Sequence, residues 1–272
     1  MKKNRMKKFM ALILGGSMFL SMVACSNENE SIENDRNLIP VEEYIADIVP
    51  QGTAVTVSSG EQQYLPVEMY LAFAESEYLN GSIFLADVPA ISQTATMIDA
   101  DSNGGQMKIS GAQEGSMPNT KIVGVSNTSA LSEFESGERK LIKGRMYREL
   151  NECIISEVLA KENGLSIGDV LQFENITPAT NGEKIIYNLT ISGIYSDSTN
   201  EYDFPYPIAY LNRRNEVITS VDNLLGAENA SNGSGMFINA IYYLNDSGDI
   251  FAFEQQLYDK GMPSGFSVRT LG

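Results

Sequence analysis

Hydrophobic and polar residues alternate over residues 53–60, TAVTVSSG, in the period of two that is typical of a β-strand. Pro66 follows at the first turn of a predicted helix, whose apolar residues recur at helical spacing until Asn80-Gly81 ends it. These apolar positions are Val67, Leu71, Ala74 and Tyr78. The next run, SIFLADVPAISQTATMID, predicts one long or broken strand, so the pattern indicates a β-α-β unit.

A second unit of the same kind is predicted near the C-terminal end. The run MFINAIYYL predicts a strand, and GDIFAFEQQLYDKG then places Ile250, Phe253 and Leu257 on one face of a helix with Gly261 as its C-cap. The run GFSVRTL predicts the closing strand. The two units together predict an α+β fold, in which a split β-α-β two-layer sheet carries two helices.

The middle of the chain shows a different pattern. Short strands are predicted in TKIVGVS, VLQF and IIYNLTISGIYSD, and Asn181-Gly182 is a strong hairpin signal. One short helix, EVLAKEN, is predicted with Ser156 as its N-cap and Gly164 just beyond its C-cap. We therefore expect a mostly-β inserted subdomain, residues 120–199, which interrupts a split core made of residues 53–119 and 200–272.

The first 24 residues have the pattern of an export signal, because the basic segment MKKNRMKK precedes an apolar run over residues 9–24. That run is shorter than the roughly 20 residues that cross a bilayer comfortably. It ends in VAC, which resembles the lipobox of bacterial lipoproteins, although Met22 stands where Leu is usual. We expect residues 1–24 to be a signal peptide, Cys25 to be the lipidation site and residues 25–52 to be a flexible tether. An uncleaved membrane anchor is the alternative.

The charge of the chain limits its partners. It has 19 basic and 35 acidic residues, a formal net charge of −16. Five basic residues and no acidic ones precede Cys25, which leaves 14 basic against 35 acidic residues, or −21, for the rest. This excess of acid argues against nucleic acid as a partner and against electrostatic attachment to anionic lipid. A lipid anchor is therefore predicted to hold the protein at a membrane.

Cys153 is the one cysteine left once Cys25 is lipidated, which excludes an internal disulfide. A catalytic thiolate needs a basic or positively charged neighbour. The chain has no histidine, and the adjacent Glu152 and nearby Glu157 would raise the pKa of the thiol. We therefore interpret Cys153 as a small apolar residue of the core.

One stretch matches the first half of a calcium-binding loop, D-x-D-x-N-G, through Asp99, Asp101, Asn103 and Gly104. The twelfth position, where a bidentate Glu completes the coordination, is Ser110, and no helical pattern flanks the loop. We therefore interpret residues 99–105 as an acidic Gly-rich hairpin loop without a metal. The sequence has no Gly-rich phosphate loop either, so no cofactor is predicted.

Carboxylates and aromatic rings alternate in DSTNEYDFPYP, residues 197–207. A Pro-bearing loop of this kind suits a surface that faces a peptide or protein. The candidate partner-binding residues are the three rings and two of the acids: Tyr202, Phe204, Tyr206, Asp197 and Asp203. Two alternatives remain open. The rings could fold back onto the core, or the acids could serve a glycoside hydrolase, although nothing fixes two carboxylates at a defined separation.

Three segments together carry a resemblance to a known family. They are LIKGR, which contains Gly144 and Arg145, the pattern IIS..LA...GL..GD, which contains Ser156, Gly164, Gly168 and Asp169, and the strand ISGIYSD. Through them the chain resembles the extracytoplasmic (periplasmic core) domain of ABC-transporter permeases of the MacB/FtsX type, over about residues 53 to 271. These are folding motifs: Gly144 permits a tight turn, Ser156 caps a helix, Gly164 ends it, and Gly168-Asp169 turns into the next strand.

The resemblance implies a porter-like split β-α-β core with a β-rich insert and no catalytic activity. In that family the domain couples ATP-driven movement of membrane helices to events outside the cell, including efflux and the activation of wall hydrolases. Such permeases carry transmembrane helices on both sides of the domain. Here a lipoprotein-like signal stands in place of the first helix, and no ATPase motif is present.

We therefore expect a lipid-anchored protein outside the cytoplasm that is not an enzyme. It would be an accessory or partner-binding component of an ABC export or envelope system, with an ABC permease or another envelope protein as its partner. The alternative is a free-standing lipid-anchored lipoprotein that binds a peptide or a small ligand.

Overall fold

The computed structural model describes residues 41–59, 63–100, 117–177, 182–202, 207–225 and 235–271, which lie within one compact unit, Arg36–Gly272. The strands in this part of the chain are β1 (Thr53–Ser59), β2 (Leu79–Ser92), β3 (Thr120–Val125), β4 (Arg139–Gly144), β5 (Glu152–Ser156), β6 (Val170–Asn175), β7 (Ile186–Asp197), β8 (Glu216–Ser220), β9 (Phe237–Leu244) and β10 (Phe266–Thr270). The α-helices are α1 (Val67–Phe73), α2 (Ser132–Glu135), α3 (Glu157–Asn163), α4 (Val221–Leu225) and α5 (Ile250–Asp259).

Both β-α-β units predicted from the two ends of the chain are present, and their strands interleave. The sheet order here is β10-β1-β9-β2, so each unit places one strand between the two strands of the other. Strand β1 runs antiparallel to β9 and β10, and β9 runs antiparallel to β2. Helices α1 and α5 meet over β9, where the Tyr242 ring lies 5.8 Å from the Phe253 ring and the Tyr242 hydroxyl donates to the Tyr70 carbonyl (2.8 Å).

The remaining strands continue the sheet in the order β2-β3-β8-β5-β7-β4. Strand β6 pairs with both β2 and β7. The pairings β2-β3-β8-β5-β7-β6 therefore return to β2 and form a closed ring of six strands. Two of these pairings, β3–β8 and β5–β7, are parallel, so the sheet is mixed. The predicted mixture of helices and β-sheet is confirmed, and the porter-like split core with an insert stays a prediction.

Strand β8 comes from the C-terminal part of the chain but lies between β3 and β5, which belong to the predicted insert. The division of the chain at residues 119 and 199 stays a prediction. The larger hydrophobic cluster reaches across that division, because it contains Val57 and Phe253 of the interleaved units as well as Leu159 and Leu171 of the predicted insert. A smaller cluster is formed under α2 by Val125, Phe134, Ile154, Tyr195, Ile218 and their neighbours.

Residues 42–48, which form neither helix nor strand, lie against the smaller cluster through Tyr44, and we call them the N-terminal strap. The backbone N–H of Glu42 donates to the carbonyl of Gly144 (2.9 Å), and the Tyr44 hydroxyl donates to the carbonyl of Thr128 (2.8 Å). The Tyr44 ring lies 5.4 Å from that of Phe134. The strap is thus held against the fold, so the expected flexible tether does not include these residues. Residues 1–40, with the predicted signal peptide and Cys25, lie outside the described residues.

Helix α1 is shorter than its apolar pattern predicts, since it ends at Phe73 and not near Asn80. Ser76 is the physical reason. Its buried hydroxyl donates to Gln256 of α5 (2.5 Å) and accepts the backbone N–H of Tyr78 (3.2 Å). A serine that bonds to its own neighbouring backbone favours a turn over a further helical turn.

Candidate functional site

The predicted partner-binding residues belong to the loop between β7 and β8, residues 198–215, which we call the β7–β8 loop. The structure describes 198–202 and 207–215 of it, so three predicted residues lie outside the described part: Asp203, Phe204 and Tyr206. The two sides of the loop hold each other at its base. The Arg213 N–H donates to the Glu201 carbonyl (2.8 Å), and the Arg214 guanidinium donates to the Thr199 carbonyl (2.6 Å).

Asp197 lies at the foot of this loop, and its side chain is only 1% exposed. Its carboxylate accepts from Arg139 (3.0 Å) and pairs with Arg214 (2.8 Å), and it also accepts the Thr199 N–H (2.9 Å). Burial opposes the charge on Asp197, but Thr199, Arg139 and Arg214 outweigh it and hold the pKa of the carboxyl below its usual value. The prediction that Asp197 offers polar selectivity at an exposed surface is therefore wrong. Two arginines distant in sequence bury its carboxylate inside the fold.

The ion pair of Asp197 extends into a buried network. Arg139, whose side chain is 3% exposed, also donates to Glu216 at the start of β8 (2.6 Å), and Lys121 of β3 reaches the same carboxylate (3.0 Å). The Tyr195 ring lies beneath Arg139, 5.3 Å from its guanidinium carbon. Arg213 adds a further pair with Glu133 of α2. The network therefore joins β3, β4, β7, β8 and α2 at the base of the β7–β8 loop.

Tyr202 is half-buried, and its hydroxyl is fixed. It donates to the carboxylate of Asp99, and the buried amide of Asn212 donates to the same carboxylate (2.8 Å) and to Glu201 (3.0 Å). Tyr202 and Asn212 also form an isolated antiparallel bridge. Burial and the neighbouring acids Asp99 and Glu201 raise the pKa of Tyr202 to about 12. The phenol is therefore a positioned neutral group and not a mobile one.

These contacts also decide the role of Asp99, the first residue of the predicted acidic loop. Its backbone has φ +61°, a left-handed conformation that Asp adopts more readily than most residues. Its carboxylate binds Tyr202 and Asn212, so it serves here as a hydrogen-bond acceptor within the fold. Positions 101–116, with the remaining calcium-type residues Asp101, Asn103, Gly104 and Ser110, lie outside the described residues.

The turn at Gly144 and Arg145 has a clear steric reason. Gly144 has φ +68°, and a Cβ there would lie 2.3 Å from the carbonyl oxygen of Ser192, so no other residue fits without a shift. Arg145 then binds Glu152 through two hydrogen bonds, 2.8 and 2.7 Å. Burial opposes the charge on Glu152, but Arg145 and two backbone N–H groups lower its pKa to about 2. The pair fixes the segment between β4 and β5.

The other motif residues shape helix α3 and its exit. The Ser156 hydroxyl accepts the Leu159 N–H (3.1 Å), which confirms the predicted N-cap. Gly164 ends the helix in the left-handed conformation, φ +63°, as its pattern predicts. Gly168 has φ +91°, and the neighbouring Asp169 carboxylate accepts the N–H of Ser166 (2.8 Å). Each of these residues therefore has a structural role.

Cys153 is completely buried in the larger cluster. Burial, and after it the charge of Glu152, raises the pKa of the thiol well above its usual value. A protonated thiol inside an apolar core has neither the charge nor the access that a nucleophile needs. The interpretation of Cys153 as a core residue is confirmed.

A pocket of about 250 Å³ lies at the strap, lined by both acidic and basic side chains. They include Glu43, Asp47 and Arg148, and the Tyr147 hydroxyl beside them is buried without a hydrogen-bond partner among the described residues. Ligand pockets of drug-like size usually measure 300–1,000 Å³. This pocket falls below that range.

Within the described ranges, no group of three or more His, Cys, Asp and Glu side chains is placed to hold a metal ion. Over the same residues, no helix has the length and the apolar character that a membrane crossing requires.

Comparison with known proteins supports the resemblance to ABC-transporter permeases. The chain is 28% identical over 136 residues to YclI, an uncharacterized ABC transporter permease of Bacillus subtilis (strain 168). The chain is similar to an ABC transporter permease. The match covers 48% of this chain and 27% of YclI, so the resemblance to a permease is confirmed over about half of the chain. No family model matches the chain.

Two solved structures give weaker likenesses. The extracellular domain of the noncanonic ABC-type transporter YknZ from Gram-positive bacteria aligns with a TM-score of 0.38 and 10% identity, over 80% of this chain and 100% of that domain. A domain of a protein classed as a permease, from Porphyromonas gingivalis, aligns with a TM-score of 0.37 and 13% identity, over 81% of this chain and 90% of that domain. Likenesses at this level carry no argument about function.

Proposed function

We propose that this chain is a non-catalytic, partner-binding domain outside the cytoplasm that works beside an ABC permease. The observation that carries the proposal is the 136-residue similarity to a permease. The match spans 27% of that permease, so the chain is proposed to share one domain with it and to associate with a complete transporter. The export signal and Cys25 in the sequence support attachment to a membrane through lipid.

The interleaved β10-β1-β9-β2 strands with α1 and α5 are proposed to be the porter-like split core that the family resemblance implies. The buried, protonated Cys153 supports a role without catalysis, because it removes the one thiol nucleophile of the described residues. No cofactor enters the proposal.

The partner surface is proposed to be the β7–β8 loop. Its base is preorganised by the buried network and by the Asp99–Tyr202–Asn212 contacts, so little conformational entropy would be lost when a partner binds there. Aromatic side chains on a fixed base are typical of the residues that dominate binding energy. Tyr202, Phe204 and Tyr206 are the proposed contacts, with Asp203 as the polar one. Asp197 holds the base.

Affinity purification from solubilised membranes tests the proposal. The full-length chain should co-purify an ABC permease, identified by mass spectrometry. Replacing Phe204 and Tyr206 with serine should abolish that co-purification while the melting temperature falls by no more than a few degrees; Tyr202 is kept because its hydroxyl holds Asp99. A control in which the exposed Asn188 is replaced by serine should retain the permease. If no permease co-purifies with the unaltered chain, the proposal is wrong. A large fall in melting temperature would show that the rings belong to the core.

A further inference from the structure

A short basic segment stands out in this acidic chain. Residues 139–148, RKLIKGRMYR, hold five of its 19 Lys and Arg residues and no acidic residue. Three of the five have acidic partners in the structure: Arg139, Arg145 and Arg148. The other two, Lys140 and Lys143, are exposed and have no ion pair among the described residues. The segment therefore leaves two unneutralised positive charges at one place on a protein of net charge −16.

These two lysines lie on β4, which is the last strand of the sheet. Strand β4 pairs with β7 alone, so its other edge has no strand beside it within the described part of the chain. Alternate residues of an antiparallel edge strand direct their N–H and C=O groups away from the sheet, where an extended peptide can bind them. Exposed lysines on such an edge commonly prevent indiscriminate pairing, because a neutral strand added beside them would remove their charged groups from water without supplying a partner charge. An acidic strand would meet the same lysines favourably.

A groove runs beside this edge between β4 and α3, with a volume of about 910 Å³. A β-bulge between Leu141 and Lys143 leaves Ile142 without a partner residue on β7. Ile142 lines the groove together with Val158 and Leu165, and Val158 is 40% exposed. Lys143 lines the β4 side of the groove, while the α3 side carries Glu157, Lys161 and Glu162. The groove thus offers an apolar floor next to a basic edge.

The chain itself shows what kind of segment this edge accepts. The strap is an acidic segment with Glu42, Glu43 and Asp47, and its Glu42 N–H donates to the carbonyl of Gly144 at the end of β4 (2.9 Å). The Glu42 carboxylate pairs with Arg148 of the basic segment. One backbone hydrogen bond and one charge pair therefore already join an acidic segment to the C-terminal end of β4. The strand from Lys140 to Lys143 has no such contact among the described residues.

We propose that the free edge of β4 is a docking site for an extended acidic segment of a partner protein. The segment adds as a strand beside β4, with acidic side chains facing Lys140 and Lys143 and an apolar side chain in the groove over Ile142. Backbone hydrogen bonds supply affinity, and the lysines select against neutral and basic strands. This surface is separate from the β7–β8 loop, so the proposal does not depend on the proposed function.

The purified full-length chain is tested by fluorescence anisotropy with a labelled peptide of alternating Glu and Val. One control peptide has Lys in place of Glu, and a second keeps the charges but is N-methylated at alternate amides, which removes backbone hydrogen bonds. The acidic peptide should bind saturably and at least tenfold more tightly than either control. Its binding should weaken as salt is raised, because exposed charges are screened.

Variants locate the site. K140E/K143E should weaken the binding of the acidic peptide at least tenfold, and the neutral K140Q/K143Q should lie between it and the unaltered chain. The matched control is R269E on β10, the exposed arginine of the opposite edge strand, which should bind as the unaltered chain does. Bound peptide should also slow hydrogen exchange of the amides in residues 140–143. The proposal is overturned by any of four results: no saturable binding, equal binding of the N-methylated peptide, no effect of K140E/K143E, or an equal effect of R269E.

Discussion

Replacing Arg139 with methionine tests the buried ion network, because the guanidinium lies between two carboxylates. The side chains of Arg139, Asp197 and Glu216 are 3%, 1% and 7% exposed. Removing one partner of a buried ion pair typically costs about 3–5 kcal/mol, since a charge is left buried and unpaired. Here Asp197 keeps Arg214 at 2.8 Å and Glu216 keeps Lys121 at 3.0 Å. We therefore expect the low end, about 3 kcal/mol at pH 7.

The exposed pair between Arg148 and Glu42 supplies the matched control. Its side chains are 62% and 48% exposed, so solvent screens the charges. Arg148→Ala should cost no more than about 1 kcal/mol. Urea denaturation followed by circular dichroism measures both free energies of unfolding. Equal losses for Arg139→Met and Arg148→Ala would refute the view that burial sets the energy of the network.

Acid should remove most of the difference between Arg139→Met and the unaltered chain. Burial opposes the charges of Asp197 and Glu216, but their hydrogen-bond and charge partners outweigh it, so the pKa of each carboxyl lies below its usual value. The stability they contribute is therefore complete above about pH 5 and is lost as the pH falls through these lowered pKa values. Once both are protonated, Arg139 has no anionic partner to lose. A destabilisation by Arg139→Met that does not shrink as the pH is lowered through the titration of these two carboxyls would contradict this account.

Three further results are expected. Cys153→Ala should keep partner binding and cost about 1 kcal/mol in thermal or urea unfolding, as for a small core truncation; loss of binding by a folded variant would overturn its structural role. Gly144→Ala should destabilise more than Gly164→Ala in the same assay, because a Cβ at Gly144 meets the Ser192 carbonyl at 2.3 Å and one at Gly164 meets nothing within 4 Å. Similar losses for the two glycines would show that the turn relaxes. Cys25→Ser should block lipidation and signal removal, and a variant that matures and fractionates normally would exclude the lipoprotein signal.

The sequence predicts those helices and strands whose bounds are set by residues close to them in the chain. Ser156 and Gly164 bound helix α3 through contacts three or four residues away, so the pattern around them is sufficient. The β-α-β units at the two ends have clear periods of two and of 3.6, and both are present. Strand β8 has no such signal. Its five residues, EVITS, gain their place from pairing with β3, where Glu216 lies opposite Lys121.

The contacts of the candidate site could not be predicted from the sequence, because they join residues that are far apart in the chain. Asp197 and Glu216 meet Arg139 across 58 and 77 positions of the chain, and Tyr202 meets Asp99 across 103. Residues 190–207 around Asp197 contain no Lys or Arg, and their acids, aromatic rings, small polar residues and prolines are typical of an exposed loop. The arginines that bury its carboxylate come from β4 and from the far side of the loop. No local pattern contains that information.

Site-specific photo-cross-linking in intact cells tests the central proposal most directly. A photoreactive residue replaces Asn200, which is exposed on the β7–β8 loop, and in a matched control it replaces the exposed Asn188 of β7. The account predicts a covalent adduct between the chain and an ABC permease from position 200, identified by mass spectrometry, and no permease adduct from position 188. Equal adducts from both positions, or no permease adduct from position 200, would contradict it.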